Sequence, residues 1–84
     1  MIDINKKIAE IFRAKADLLE RQGKVVYRII ALRRAAEALE SHPEGVDVIY
    51  QRSWLRGLEK IPGVGNRLAH AIEKELLKLG VKRK

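Results

Sequence analysis

Apolar residues recur at intervals of three and four along most of the chain, the spacing that places them on one face of an α-helix. The first stripe follows the capping candidates Asp3 and Asn5 and predicts a helix that ends near Gln22, because Gly23 suits the position after a helix terminus. A second stripe predicts a helix over residues 25–39. The residues predicted to face the core here are Ile4, Ile8, Ile11, Phe12, Leu18, Leu19, Val26, Ile29, Ala36 and Leu39.

The second half of the chain predicts shorter helices. Pro43 separates the second helix from a third, predicted over residues 44–51. A further short helix is predicted over residues 54–59, and a last one over residues 66–79, where Gly80 ends it. The residues predicted to face the core here are Val46, Ile49, Tyr50, Leu55, Leu58, Leu68, Ala69, Ile72, Leu76 and Leu79.

These elements predict an all-α protein with one domain, a compact bundle of four to five short helices over residues 1–81, followed by a basic tail at residues 82–84. A chain of 84 residues is long enough for one small core. It contains no cysteine, which excludes disulfides and thiolate metal sites. It also lacks a secretion signal and any apolar run near the roughly 20 residues of a membrane span, so we expect a cytoplasmic protein without membrane partners.

The charge balance favours an anionic partner. Eighteen lysines and arginines oppose eleven acidic residues, which leaves a net charge of +7. Nucleic acid is the first candidate for such a surface, although a basic surface also serves solubility alone. No phosphate-binding loop, dinucleotide-binding glycine pattern or zinc-protease motif is present in the sequence. The function is therefore expected to be binding rather than catalysis.

The most informative segment is the glycine-bearing connection before the last helix. Pro62 fixes one backbone angle, and Gly63 and Gly65 permit positive φ and the close approach of another backbone. The amides of Gly63, Gly65 and Asn66 would then point outward at a helix start, where the helix dipole favours an anion. The alternative is a plain tight turn in which the glycines serve geometry alone.

Basic side chains accompany this connection. Lys60, Arg67 and Lys74 are expected to surround it with positive charge, and Arg28 lies on the second helix with Arg33 and Arg34. Arg33 and Arg34 could form a second anion-binding surface. Alternatively, they lie on a solvated helix face and pair with Glu37 and Glu40 at helical spacing.

Residues 58–72 resemble the helix-hairpin-helix family, whose pattern is Ile/Leu-Pro-Gly-Val/Ile-Gly followed by a spaced alanine and an apolar residue. The resemblance implies a helix-hairpin-helix at about residues 54–79 that contacts the sugar-phosphate backbone of DNA without sequence preference. It also implies a K⁺ or Na⁺ ion held by the main-chain carbonyls of Glu59, Ile61 and Val64. The DNA-binding residues expected in all are Arg28, Arg33, Arg34, Lys60, Gly63, Val64, Gly65, Asn66, Arg67 and Lys74.

Residues 5–20 and 27–39 resemble the N-terminal domain of family X DNA polymerases, the group that includes DNA polymerase beta. This resemblance implies a DNA-repair domain that binds gapped, nicked or single-stranded DNA at a 5′-phosphate through Arg28 and Arg67. A catalytic polymerase or nuclease would act with it, nucleoid-associated if the cell is prokaryotic. In several relatives the domain is also a 5′-deoxyribose-phosphate lyase.

The lysine that carries the lyase chemistry in those relatives aligns with Ala71, and Leu32 replaces the usual aromatic residue. An alanine has no amine, so we expect no enzyme activity. Two alternatives stay open. One is a divergent lyase that uses Lys74 or Lys60, and the other is a protein-interaction module whose hairpin binds a partner helix.

Overall fold

The computed structural model describes residues 3–81, which form four α-helices. They are α1 Ile4–Arg21, α2 Val26–Ser41, α3 Val46–Glu59 and α4 Asn66–Lys78. The all-α prediction is confirmed, and the Cα radius of gyration of 12.3 Å is close to the roughly 12 Å typical of a compact chain of this length. The predicted basic tail, residues 82–84, lies outside the described residues.

The first two helices pack against each other, and their ends follow local signals. The Asp3 side chain accepts a hydrogen bond from the Lys6 amide at 3.2 Å and so caps the start of α1. Gly23 adopts φ +67° just beyond its end, as predicted for a helix-terminating glycine. A short turn then leads directly into α2, so the two helices lie side by side.

Asn5 ties the start of α1 to the start of α3. It is buried within α1 and is therefore not the cap that the sequence suggested as an alternative to Asp3. Its Nδ2 donates to the Glu44 carbonyl at 2.8 Å, and its Oδ1 accepts from the Val46 amide at 2.7 Å. One side chain thereby satisfies two backbone groups where the second half of the chain begins.

The third helix bends sharply at Trp54, whose backbone angles are φ 54° and ψ −143°. The two short helices predicted over residues 44–51 and 54–59 are therefore one element with a break inside it, and it begins two residues later than predicted. Beyond the bend the chain folds back closely. A Cβ placed on Gly57 would lie 2.7 Å from Ile49 Cγ2 and 2.8 Å from Ser53 Cβ.

The core draws on all four helices and on the hairpin. Its fully buried large side chains include Phe12 and Ile8 from α1, Leu39 from α2, Tyr50 and Leu58 from α3, and Ile72 and Leu76 from α4. Both arms of the connection before α4 are thus anchored on one core, which fixes the position of the glycines between them.

Three residues predicted to face the core are exposed instead. Leu18 and Val26 lie near the turn between α1 and α2 and are 51% and 66% exposed, and Leu79 is 38% exposed. All three lie at a helix end, where the helical spacing of apolar residues continues but the neighbouring helices no longer cover it. None of the described helices has the length and apolar character needed to cross a membrane.

Candidate nucleic-acid interface

The connection between α3 and α4 is a tight hairpin held by two buried apolar side chains. Ile61 and Val64 are almost fully buried, and the Val64 amide donates to the Ile61 carbonyl at 2.9 Å. Gly63 lies between them at φ +86°, which a residue with a side chain adopts only with strain. A Cβ on Gly63 would lie 3.7 Å from Ala38 Cβ, so the turn packs directly on α2.

Gly65 differs from Gly63 because nothing inside the protein requires a glycine there. Its angles of φ −93° and ψ −171° are ordinary extended backbone, so the positive φ that both glycines permit is used at Gly63 and not at Gly65. No protein atom lies within 4 Å of the position that its Cβ would occupy. The missing side chain leaves open space in front of the first turn of α4.

A groove of about 590 Å³, here called the main groove, lies beside the hairpin. The start of α2 forms one wall and contributes Tyr27 and Arg28. The start of α4 forms another and contributes Gly65, Asn66 and Arg67. Arg28 and Arg67, which lie far apart in sequence, therefore border the same groove. Both side chains are exposed, and neither takes part in an ion pair among the described residues.

Two helix N-termini meet at the main groove. Val25 occupies the N-cap position of α2 and Gly65 that of α4, and neither helix start has a side-chain cap hydrogen bond. In α2 the Arg28 amide donates to the Val25 carbonyl at 3.2 Å, which leaves the amides before it free. Free amides at a helix start carry the positive end of the helix dipole and form a binding site for an anion. Together with Arg28 and Arg67 they give this groove the electrostatic character of a phosphate site.

The floor of the main groove is apolar. It is formed by Leu18, Leu19, Ala31, Leu32, Leu68 and Ala71. The amine that borders it belongs to Lys15, a residue to which the sequence assigns no role. The Lys15 ammonium lies 3.5 Å from the buried Glu75 carboxylate. Helical periodicity placed Leu18 in the core and could not show that the end of α1 forms a wall of this groove.

A smaller groove of about 410 Å³ lies across Tyr27 and Ala31 of α2 from the main groove, and it is here called the side groove. It is lined by Tyr27, Ile30, Ala31, Arg34 and Gly63. The predicted DNA-binding residues Arg34 and Gly63 are therefore neighbours, and Arg34 is exposed. Lys60 and Lys74 are also exposed, but they line neither groove.

Arg33 lines a further groove, of about 440 Å³, together with the predicted DNA-binding residue Arg34, but it is held in ion pairs there. Its Nη2 lies 2.8 Å from the Asp17 carboxylate and 3.5 Å from that of Glu20, both on α1. The hydrogen bond to Asp17 raises the pKa of the Arg33 guanidinium above its ordinary value. Since these acidic partners offset its charge, Arg33 offers a phosphate less than the unpaired Arg28, Arg34 and Arg67 do. Among the described residues, neither Arg33 nor Arg34 forms the alternative ion pairs with Glu37 and Glu40, and Glu40 pairs with Arg13.

Val64 also leaves the set of direct DNA contacts. Its side chain is buried and its amide is already donated to Ile61, so it offers no free donor to a phosphate. The Asn66 side chain is engaged within the protein, since its Nδ2 donates to Glu59 Oε1 at 2.7 Å and holds the two arms of the hairpin together. Its main-chain amide, in the first turn of α4, remains the group that can contact a phosphate. Its carbonyl accepts a hydrogen bond from His70 Nδ1 at 2.8 Å.

Comparison with known proteins gives one match. A family model described as "Helix-hairpin-helix domain" matches residues 3–78, which is most of the chain. No curated protein and no solved structure matches. In the described residues no group of three or more histidine, cysteine or carboxylate side chains is arranged to hold a metal ion.

Proposed function

The chain belongs to the helix-hairpin-helix domain family, and from this premise we propose that it binds DNA through the phosphate backbone, without reading the base sequence. The observation that carries this proposal is the meeting of the hairpin, two uncapped helix N-termini, Arg28 and Arg67 around the main groove. Main-chain amides and guanidinium groups recognise phosphate oxygens, which every nucleotide carries, so they position a strand without specifying its sequence.

The first contact is made by the hairpin itself. A phosphate oxygen accepts hydrogen bonds from the first-turn amides of α4, beginning at Asn66, and the open space in front of Gly65 lets the sugar-phosphate backbone come close. Lys60 and Lys74 add positive charge around this contact from outside the groove. Because Val64 holds the turn from the core side, the amides are positioned before DNA arrives.

The second contact is made at the main groove. Arg28 and Arg67 border it from two different helices, and we assign this place to a 5′-phosphate at a gap or nick, or at the end of a single strand. Such a terminal phosphate carries more negative charge than an internal one, and Arg is suited to bind it through two parallel hydrogen bonds. The proposed setting is DNA repair, in the nucleoid if the cell is prokaryotic.

We propose that the domain binds without cutting DNA. Ala71 lies on the floor of the main groove and supplies no amine, and Lys60 and Lys74 do not line it. Lys15 does, but its ammonium lies 3.5 Å from the Glu75 carboxylate and is engaged there. A polymerase or nuclease partner would supply the chemistry. Borohydride reduction with an abasic-site oligonucleotide should therefore trap no covalent adduct, and an adduct lost in Lys74→Ala or Lys15→Ala would contradict this.

A K⁺ or Na⁺ ion is proposed in the hairpin, held by the carbonyls of Glu59, Ile61 and Val64. The residues fit such an ion, because Glu59 ends α3 and the last carbonyls of a helix lack intrahelical donors. The Ile61 carbonyl accepts one hydrogen bond, from Val64, and keeps a second lone pair. A bound cation would add positive charge beneath the amides that face the phosphate.

The test of DNA binding is Gly65→Asp. Aspartate is a favourable N-cap and leaves α4 intact. Its carboxylate, however, occupies the open space and accepts hydrogen bonds from the same amides that we propose bind phosphate. We expect affinity for a short gapped duplex, measured by fluorescence anisotropy at low salt, to fall about tenfold or more, with an unchanged circular dichroism spectrum. Arg67→Glu should act in the same direction.

The control is Lys7→Gln, which makes the same change of net charge as Gly65→Asp, at an exposed position of α1 outside both grooves. At about 0.1 M salt, where charges more than roughly 10 Å apart are largely screened, it should keep its affinity within about twofold of the wild type. If Gly65→Asp and Arg67→Glu bind DNA as the wild type does, the hairpin is not the DNA-binding element. A protein-interaction role would then replace the proposal.

A further inference from the structure

Tyr27 lies on a ridge between the two grooves. It is the second residue of α2, it is 69% exposed, and it lines both the main groove and the side groove. Ala31, one helical turn further along, also lines both. Because alanine is small, it leaves the tyrosine ring as the high point between two depressions.

Each groove beside this ridge contains a hairpin glycine and at least one arginine. The main groove has Gly65 with Arg28 and Arg67, and the side groove has Gly63 with Arg34. In the described residues none of these arginines is held in an ion pair. Two places suited to a phosphate group therefore flank one exposed aromatic ring.

Resting on the DNA-binding function proposed above, we infer that Tyr27 stacks on an unpaired base, with the phosphates on either side of that nucleotide in the two grooves. The bases of an intact duplex are stacked inside the helix and cannot reach a protein ring, whereas every unpaired base offers a flat face. The ridge thus selects DNA with an unpaired nucleotide over intact duplex.

The surroundings of Tyr27 favour a nucleotide over a protein segment as the occupant. Neighbouring side chains extend the apolar surface, since Val26 is 66% and Ile30 46% exposed. The rim, however, consists of the guanidinium groups of Arg28, Arg34 and Arg67 on a chain of net charge +7. An aromatic platform within a positively charged groove is the arrangement that binds single-stranded nucleic acid.

The experiment compares two DNAs of equal length, an intact duplex and a duplex with a one-nucleotide gap that has 2-aminopurine in the unpaired position. Tyr27→Ala should weaken binding of the gapped DNA about tenfold and change duplex binding less than twofold. Wild type and Tyr27→Phe should quench the fluorescence of 2-aminopurine, and Tyr27→Ala should not. Val26→Ala is the matched control, because it removes an equally exposed apolar side chain that lines neither groove.

Equal weakening on both DNAs, or none on either, overturns the inference about Tyr27. That result leaves the hairpin proposal standing as long as Gly65→Asp still weakens binding about tenfold or more. If the wild-type protein binds neither DNA at low salt, the proposed function fails and the inference fails with it. Since Tyr27 is exposed, its variants should fold normally, which circular dichroism checks.

Discussion

Gly63 and Gly65 are two residues apart in one motif, yet the fold uses them for different purposes. Gly63 is needed by the protein itself, because its φ is positive and the turn packs on α2. Gly65 has ordinary backbone angles and faces open space, so its lack of a side chain leaves room for an approaching molecule. The same residue type thus has a structural role at one position and a proposed binding role at the other.

Asn5 is a residue whose importance depends on contacts that are distant in sequence. Asn5→Ala would leave the Glu44 carbonyl and the Val46 amide without their side-chain partner in a buried place. We expect the free energy of unfolding, measured by urea denaturation, to fall by about 1–3 kcal/mol. Asn66→Ala removes an exposed hydrogen bond to Glu59 and should change the free energy of unfolding by about 0.5 kcal/mol or less. An Asn5→Ala protein as stable as the wild type would refute the tie between α1 and α3.

At the scale of elements, the bend in α3 brings the hairpin back onto the core. A straight helix would carry residues 55–59 away from the first part of α3. The break at Trp54 instead turns this segment so that Gly57 lies against Ile49 and Leu58 becomes fully buried. The direction in which the hairpin leaves α3 is therefore set by the backbone conformation of Trp54, which residues other than glycine rarely adopt.

The sign of the effect of Gly57→Ala tests this bend. In an exposed straight helix, alanine in place of glycine stabilises by about 1 kcal/mol. Here the new Cβ would lie under 3 Å from Ile49 and Ser53, so we expect a loss of about 1–3 kcal/mol in thermal or urea unfolding. Arg56→Ala, the neighbouring exposed position, should stay within about 0.5 kcal/mol of wild type. A stabilised Gly57→Ala variant would indicate a straight helix.

At the scale of the whole molecule, the positive charge is divided between groups that pair internally and groups that do not. Arg13, Arg33 and Arg52 form ion pairs with carboxylates, and Glu44 is held by Arg52 with distances of 2.6 and 3.0 Å. Arg28, Arg34 and Arg67 form no ion pair among the described residues, and they are the arginines that line the two grooves around the hairpin. Guanidinium groups without an internal partner are thus available on that side.

This division predicts how DNA binding responds to salt. With about three phosphates neutralised, the logarithm of the binding constant should fall with the logarithm of the salt concentration with a slope of about −2 to −3. Arg67→Gln should make the slope less steep by about 0.7–0.9, because one phosphate contact is lost. Arg52→Gln removes the same charge from an internal pair and should leave the slope unchanged. Equal slopes for Arg67→Gln and wild type would place Arg67 outside the interface.

The sequence alone determined the features that depend on neighbouring residues. Helical periodicity, with Asp3, Gly23 and Gly80 at helix ends, located α1, α2 and α4 to within two residues at each end. The hairpin was also recognisable, because Pro62 and Gly63 act on the backbone where they stand. These are local effects of covalent geometry, and they hold in any environment.

Only the tertiary structure decided which distant side chains meet. It brought Arg28 and Arg67 to one groove, paired Arg33 with α1, and left Val26 exposed although its spacing matched the core. These outcomes depend on how the helices rotate and cross as they pack. That arrangement is a property of the whole core, which no short stretch of sequence contains.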